Sequence, residues 1–142
     1  MIDSFDEEYA FLSNFYPCEV MCTERIIYPT VEHAFQAMKT VDLDDRRIIA
    51  ECPTPGKSKR LGRKVQLRNN WNAIRINVMH DLLVQKFNQE PFSIQLMETN
   101  GHELIEGNHW NDTFWGVCHG KGSNTLGKLL MDIREKLLSE GP

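Results

Sequence analysis

The stretch Tyr28-Pro29-Thr30-Val31-Glu32-His33-Ala34-Phe35-Gln36-Ala37-Met38-Lys39 constrains the fold more than any other in the chain. Pro29 resists an earlier helix, Thr30 is placed to cap the first free N–H groups, and Glu32 suits the positive end of a helix dipole. Val31, Phe35 and Met38 share one face at i, i+4, i+7 spacing and form a core stripe. Glu32, Gln36 and Lys39 repeat that spacing on an adjoining face, so an acid, an amide and an amine stand in a row beside the stripe. Taken by itself, such a row is more often a solvated helix edge with a weak ion pair than a line of functional groups. The helix is expected to end near Val41.

A chain of 142 residues suits one domain, and we take 1–142 as a single unit. Its 41% hydrophobic and 25% charged residues are ordinary for a globular protein, and the net charge of −4 argues against broad coating of DNA, though not against local phosphate contacts. No apolar run approaches the ~18 residues of a membrane span, and no signal-peptide pattern opens the chain, so the expectation is a cytoplasmic protein. Cys18 and Cys22 have a spacing that zinc sites use, but no second pair follows at finger spacing. They are read, with Cys52 and Cys118, as reduced thiols, and neither a metal nor a cofactor is expected.

Before the helix, acidic residues from Met1 to Ala10 lead into a short extended piece. Phe11-Leu12-Ser13-Asn14-Phe15-Tyr16 then sets a turn among aromatic groups, and Asn14 either holds that turn or presents its amide to a ligand. Val20-Met21 and Ile26-Ile27 flank a polar turn and form a hairpin. Beyond the helix, Asp42 or Asp44 caps a second helix through Ile49, and Cys52–Gly56 breaks the chain. Ser58 caps a third helix with Leu61 and Val65 on its apolar side. Lys57, Lys59, Arg60, Arg63, Lys64 and Arg68 make this segment the one basic cluster in an acidic protein, either solvated surface or a phosphate patch.

Trp71–Phe87 is the longest helical candidate, with Ile74, Val78, Leu82 and Gln85 on one stripe and Trp71, Met79, Leu83 and Phe87 widening it. Another helix starts at Pro91 and stops at Asn100-Gly101, and a short strand is expected over His102–Gly107. The dense stretch Gly107–Gly116 holds Trp110 and Trp115, flat faces on which a base stacks, and Asp112, which either orients a hydroxyl or simply forms a turn. The Gly-rich run from Gly116 through Gly120, Lys121 and Gly122 to Asn124 is not a Walker loop, but it enters a helix whose start offers N–H groups to an anion. Leu126, Leu129, Leu130, Ile133 and Leu137 give that last helix its buried stripe.

Taken in order, Ser13-Asn14-Phe15, Tyr28-Pro29-Thr30-x-Glu32-His33-x-x-Gln36-x-x-Lys39, Gly62-Arg63, Trp71, Trp110-x-Asp112-x-x-Trp115-Gly116 and Gly120-x-Gly122-x-Asn124-x-Leu126-Gly127 resemble the NADAR, or YbiA-like, family over nearly the whole chain. The resemblance implies a predominantly helical α+β domain with a few short strands and a link to ADP-ribose or NAD chemistry. Members of the family are N-glycosidases: some hydrolyse riboflavin-biosynthesis intermediates, others remove ADP-ribose from guanine. It implies Lys39, Glu32 and Asp112 as the catalytic set. It implies substrate contacts from Asn14, Phe15, His33, Gln36, Arg63, Trp110, Trp115, Gly116, Gly120, Lys121, Gly122 and Asn124.

The chemistry fits these residue types. Breaking a bond at ribose C1 needs a proton for the departing base and a partner for positive charge at C1. Lys39 is expected to act as an amine nucleophile with a pKa lowered by burial, and Glu32 or Asp112 to move protons. Three readings stand: removal of ADP-ribose from a guanine base, with nucleic acid as a possible partner; hydrolysis of a small phosphorylated ribosylamino-pyrimidine; and a non-catalytic ADP-ribose-binding module.

Overall fold

The computed structural model describes residues 1–140. Its contacts fall into two compact units, Asn14–Lys86 and Met1–Ser13 with Phe87–Pro142.

In the unit Asn14–Lys86, β1 (Val20–Met21) pairs antiparallel with β2 (Ile27–Tyr28), Val20 opposite Tyr28 and Met21 opposite Ile27. The pleat sorts them: Val20 and Tyr28 are buried, Met21 and Ile27 exposed. The hairpin leads into α1 (Val31–Ala37), where the Thr30 hydroxyl accepts the His33 N–H at 3.0 Å. α2 (Leu43–Ala50) is capped by Asp42, which accepts the Asp45 N–H at 2.9 Å. α3 (Pro55–Gly62) follows, and α1, α2 and α3 pack on one another while α1 also packs on the hairpin. α4 (Trp71–Phe87) sets Trp71 against Phe35 with ring centres 5.1 Å apart. Arg46, buried on α2, pairs with Glu24 at the hairpin tip and donates through Nε to the Thr40 carbonyl at 2.9 Å.

In the other unit a 3₁₀ helix, Glu7–Leu12, buries Phe11 and Leu12 and packs on α5 (Phe92–Glu98), which packs on α6 (Thr125–Glu140). The Arg134 guanidinium meets the carbonyls after α5, donating to those of Thr99 at 2.9 Å and His102 at 2.8 Å. β3 (Gly107–Asn108) runs parallel to β4 (Val117–Cys118).

The expected mainly helical α+β class is what the chain adopts, with four two-residue strands among the described residues. Five local expectations need correction. The acidic start leads into the 3₁₀ helix Glu7–Leu12 rather than an extended piece. α1 stops at Ala37 rather than near Val41, because the chain tightens there: Met38 caps the helix and the Lys39 N–H turns back to the Gln36 carbonyl at 3.2 Å. α3 begins at Pro55, capped by Thr54, so Ser58 lies inside it and Val65 beyond its end. Pro at the first helical position explains the earlier start. The segment His102–Gly107 is no strand. Leu104 makes only an isolated bridge with Ile2, and pairing begins at Gly107. On α4, Gln85 is exposed and Lys86 takes the buried position.

No described helix is long and apolar enough to cross a membrane. Thr30 carries two tasks, capping α1 and meeting the His33 ring. Replacing Thr30 with Ala should lower the unfolding free energy by about 1–2 kcal/mol, read as a lower urea midpoint at unchanged slope.

Candidate functional site

All seven residues of α1 are buried, polar ones included. Glu32 is 7% exposed and Gln36 3%. A buried carboxylate requires partners, and the Gln36 side-chain N–H donates to Glu32 Oε1 at 3.2 Å. Gln36 Oε1 has no hydrogen-bond partner. Gly62 of α3 lies against this amide, and a Cβ there would overlap Gln36 Oε1 and Cδ. Gly62 thus lets α3 approach α1 closely enough to bring its basic residues to the row.

Lys39 follows in the turn after the helix, half-buried, its carbonyl accepting the Arg68 N–H at 2.8 Å. Burial lowers the pKa of its amine, the Glu32 charge pulls it back up, and Arg63 and Lys59 push it down further. The basic cluster is therefore sorted by α3. Lys59, part-buried, and Arg63, exposed, act on Lys39, while Lys57, Arg60 and Lys64 are exposed and do not figure among the charges that shift it. Asn14 joins from the preceding turn. Its carbonyl accepts the Glu32 N–H at 3.1 Å, its amide N–H reaches Met79 Sδ at 3.5 Å, and its buried Oδ1 has no partner. Phe15, next in that turn, is 44% exposed. Asn14, Glu32, Gln36, Lys39 and Arg63 thus belong to one unit and one neighbourhood.

His33 is a correction. Its Nδ1 meets the Thr30 hydroxyl at 2.8 Å, its Nε2 meets the Cys52 carbonyl at 3.0 Å, and it is 1% exposed. The carbonyl fixes the proton on Nε2, and burial holds the ring's pKa down, so it is a neutral tie between α1 and the break before α3. Both ring nitrogens are engaged within the protein.

The loop residues belong to the unit Met1–Ser13 with Phe87–Pro142. Asn108, 6% exposed, is the organiser that the sequence reading passed over. Its Nδ2 donates to the Asp112 carbonyl at 2.8 Å, and its Oδ1 accepts the N–H groups of Trp110 at 3.2 Å and Asp112 at 3.1 Å. Asp112 Oδ1 accepts from Phe114 at 3.2 Å and Trp115 at 2.9 Å, the turn-forming role. Trp115 packs edge-on against Phe114 at 4.9 Å, and Trp110 is 57% exposed. Gly116 is buried against Glu106 and Asn108, where a Cβ would collide.

The anion cradle expected at the start of α6 is also corrected. The N–H groups of Ser123, Asn124, Thr125 and Leu126 donate to the carbonyls of Thr113, Gly116, Phe114 and Trp115. The Asn124 amide is engaged at both ends, with Leu104 and Glu106. Gly120 and Gly122 adopt φ of 76° and 149°, and Lys121 is exposed. The glycines shape this turn and bring it against the Gly116 carbonyl, leaving those helix-start donors committed.

Among the described residues no group of three or more His, Cys, Asp or Glu is placed to hold a metal ion. Lys59 was legible only as one of six cations, and nothing in the spacing singled it out as a neighbour of Lys39. Lys86 did leave a signal, since Met79, Leu82, Leu83 and Lys86 share a helical face and a lysine there interrupts it.

Comparison with known proteins places this geometry. The NADAR domain model matches residues 2–138. N-glycosidase YbiA of Escherichia coli K12 is 38% identical over 143 residues, covering 96% of this chain and 87% of that protein. The riboflavin biosynthesis protein VVA0006 of Vibrio vulnificus is 37% identical over 96% of this chain, which spans only 38% of that protein's length. The chloroplastic riboflavin biosynthesis protein PYRR of Zea mays is 33% identical, with 24% of its length covered. The solution structure of Escherichia coli YbiA superposes with a TM-score of 0.85 at 36% identity, covering 98% of this chain and 86% of that one.

The electrostatics around Lys39 give a signed prediction. Arg63→Ala and Lys59→Ala should each raise the Lys39 amine pKa, and Glu32→Gln should lower it. Chemical-shift titration of labelled lysine side chains reads all three. Equal titration in every variant would mean that these charges do not reach the amine.

Proposed function

The chain belongs to the NADAR domain family and is a hydrolase of N-glycosyl bonds, and on that premise we propose that it cleaves the bond at ribose C1 of an ADP-ribosylated guanine. The observation that carries the reading is the row Glu32, Gln36, Lys39, which sets a lysine of lowered pKa within the field of a buried carboxylate. In the proposed reaction the Glu32 carboxylate first takes a proton from the Lys39 ammonium, the neutral amine bonds to C1 as the C1–N bond to the base breaks, and the base leaves with that proton from the Glu32 carboxyl. Glu32 then takes a proton from the new C1–N group and returns it to the ring oxygen as the ring opens to an imine. Water, deprotonated by Glu32, adds at C1 and Lys39 departs, restoring amine and carboxyl.

Asn14 and Gln36 are assigned to the sugar hydroxyls. Each carries a buried carbonyl oxygen without a partner, and a small side-chain rotation would offer it to a hydroxyl donor. Lys59 and Arg63 are assigned to a phosphate next to the ribose. A cleft of about 540 Å³ is lined by Thr40, Asp42, Asp45, Gln66, Arg68 and Asn70 among others, and by none of Glu32, Gln36 or Lys39. A second reading, hydrolysis of a phosphorylated ribosylamino-pyrimidine, is favoured by the names of the Vibrio and maize relatives. A substrate panel with mass spectrometry separates them: ADP-ribosylated guanine oligonucleotide, free ADP-ribosyl nucleosides, and the riboflavin intermediates. Release of base from none of them would sink both.

Two predictions follow from the assigned roles. Lys39→Ala and Lys39→Arg should both abolish turnover while leaving the fold intact, and borohydride should trap substrate on Lys39 of the parent protein. A near-normal rate in Lys39→Ala, with no adduct, removes the nucleophile. Arg63→Ala should weaken ADP-ribose binding about 10- to 100-fold, the loss of one charge-assisted bond. The exposed Lys57 and Lys64 should tolerate Ala. Calorimetric titration at fixed salt compares the three, and equal affinities would return the cluster to plain solvated surface.

A further inference from the structure

Lys86 is the most deeply buried cationic side chain described, with 0% of its surface exposed, and neither the proposed chemistry nor the phosphate site uses it. It lies near the end of α4. From there its ammonium stands over the Tyr16 ring, 5.9 Å from the centroid, and within electrostatic reach of the Cys18 thiol. Two further α4 residues hold the same stretch of chain. Met79 Sδ accepts from the Asn14 amide at 3.5 Å, and Gln85 clamps Met21 from both sides, accepting its N–H at 2.9 Å and donating to its carbonyl at 2.8 Å. That stretch in turn supports α1: the Asn14 carbonyl accepts the Glu32 N–H at 3.1 Å, and the Cys18 N–H donates to the Pro29 carbonyl at 3.0 Å.

We propose that Lys86 is a positioning residue: its charged side chain, seated against Tyr16 and Cys18, holds the Asn14–Cys18 segment in the conformation that presents Asn14 to substrate. The proposal rests on the reading that Asn14 contacts substrate. A lysine is a costly choice for a sealed position, since a leucine or methionine would fill it without desolvating a charge. The exposed Tyr16, at 40%, shows that the segment it holds is a thin cover rather than deep core, with little apolar area of its own to fix it. The titratable groups that face Lys86 include the Cys18 thiol and the Tyr16 phenol ring.

Burial lowers the Lys86 pKa from 10.5 to about 8, with the Cys18 thiol opposing the shift. The charge that anchors the segment is therefore present at neutral pH and lost as pH rises through about 8. The unfolded chain, with its ordinary lysine, keeps its proton over that range, so folding stability gains from the deprotonation while anchoring is lost.

Lys86→Met separates positioning from packing. A packing role predicts a lower Tm and no specific kinetic change. Positioning predicts an equal or higher Tm at pH 7, a KM raised about tenfold with kcat held within about twofold, and a KM that no longer climbs between pH 7.5 and 9 as it does in the parent. Amide exchange over residues 15–19 of the substrate-free parent should quicken above pH 8, beyond the intrinsic rate increase, and be fast at every pH in Lys86→Met. Unchanged exchange and unchanged KM in Lys86→Met overturn the proposal. Exchange that responds while Asn14→Ala leaves KM untouched keeps Lys86 as the anchor and removes Asn14 from substrate instead.

Discussion

The buried carboxylate of Glu32 is the constraint on which the site depends. A helix of seven residues with no exposed face has to satisfy every polar group from within. Glu32 meets this through the Gln36 amide along the helix and through its own N–H to the Asn14 carbonyl. Thr30 and His33 meet it on the other side, as a closed pair ending at the Cys52 carbonyl. The two polar sides of α1 therefore have opposite fates. The histidine side is fully paired and ties elements together. The carboxylate side leaves two oxygens, on Gln36 and Asn14, without partners. Unpaired buried acceptors cost stability, and their persistence beside a carboxylate and an amine is what supports the proposal of a ligand on the carboxylate side.

From that constraint follows the placement of charge. Gly62 removes a side chain where α3 meets Gln36, so the helix carrying Lys59 and Arg63 packs against the row. Those cations depress the Lys39 pKa, and they are also the groups suited to a phosphate. A bound phosphate would neutralise them and let the amine pKa rise again. The same pair thus primes the free amine and would hold it protonated once an anion arrives, unless the anion sits nearer the guanidinium than the amine. Distance from phosphate to Lys39 becomes a requirement that any substrate of this site has to meet.

Much of this was legible in the sequence, and the reasons differ by residue. The α1 start is written in Pro29 and Thr30, and α4 in an apolar periodicity that runs its whole length. Both rest on local physics. The row Glu32, Gln36, Lys39 was visible as spacing, but its burial was not, because α1 is covered by α2, α3 and the hairpin, all contacts made at a distance along the chain. His33 and Asn124 read in the sequence as ligand groups, and the fold gives both a structural task that spacing does not show: a polar side chain near a motif bonds backbone far away, at Cys52 and at Leu104. The Gly-rich turn misled because free N–H groups at a helix start are free only until another segment supplies carbonyls, and residues 113–116 supply four.

Two lysines set opposite demands on pH. In the proposed roles, Lys39 as a nucleophile has to be neutral and Lys86 as an anchor has to be charged. Both pKa values are lowered, and burial is the larger cause in each. What separates them is their neighbours. Lys86 has the Cys18 thiol to favour its charge, while Lys39 has a carboxylate holding its proton and two cations expelling it. Lys39 is only half-buried, so its balance can be reset by an arriving ligand, whereas Lys86 is sealed and its balance is fixed by the fold. The division suits their tasks: the group that must change protonation during a turnover lies where substrate can act on it, and the group that must not change lies where substrate cannot.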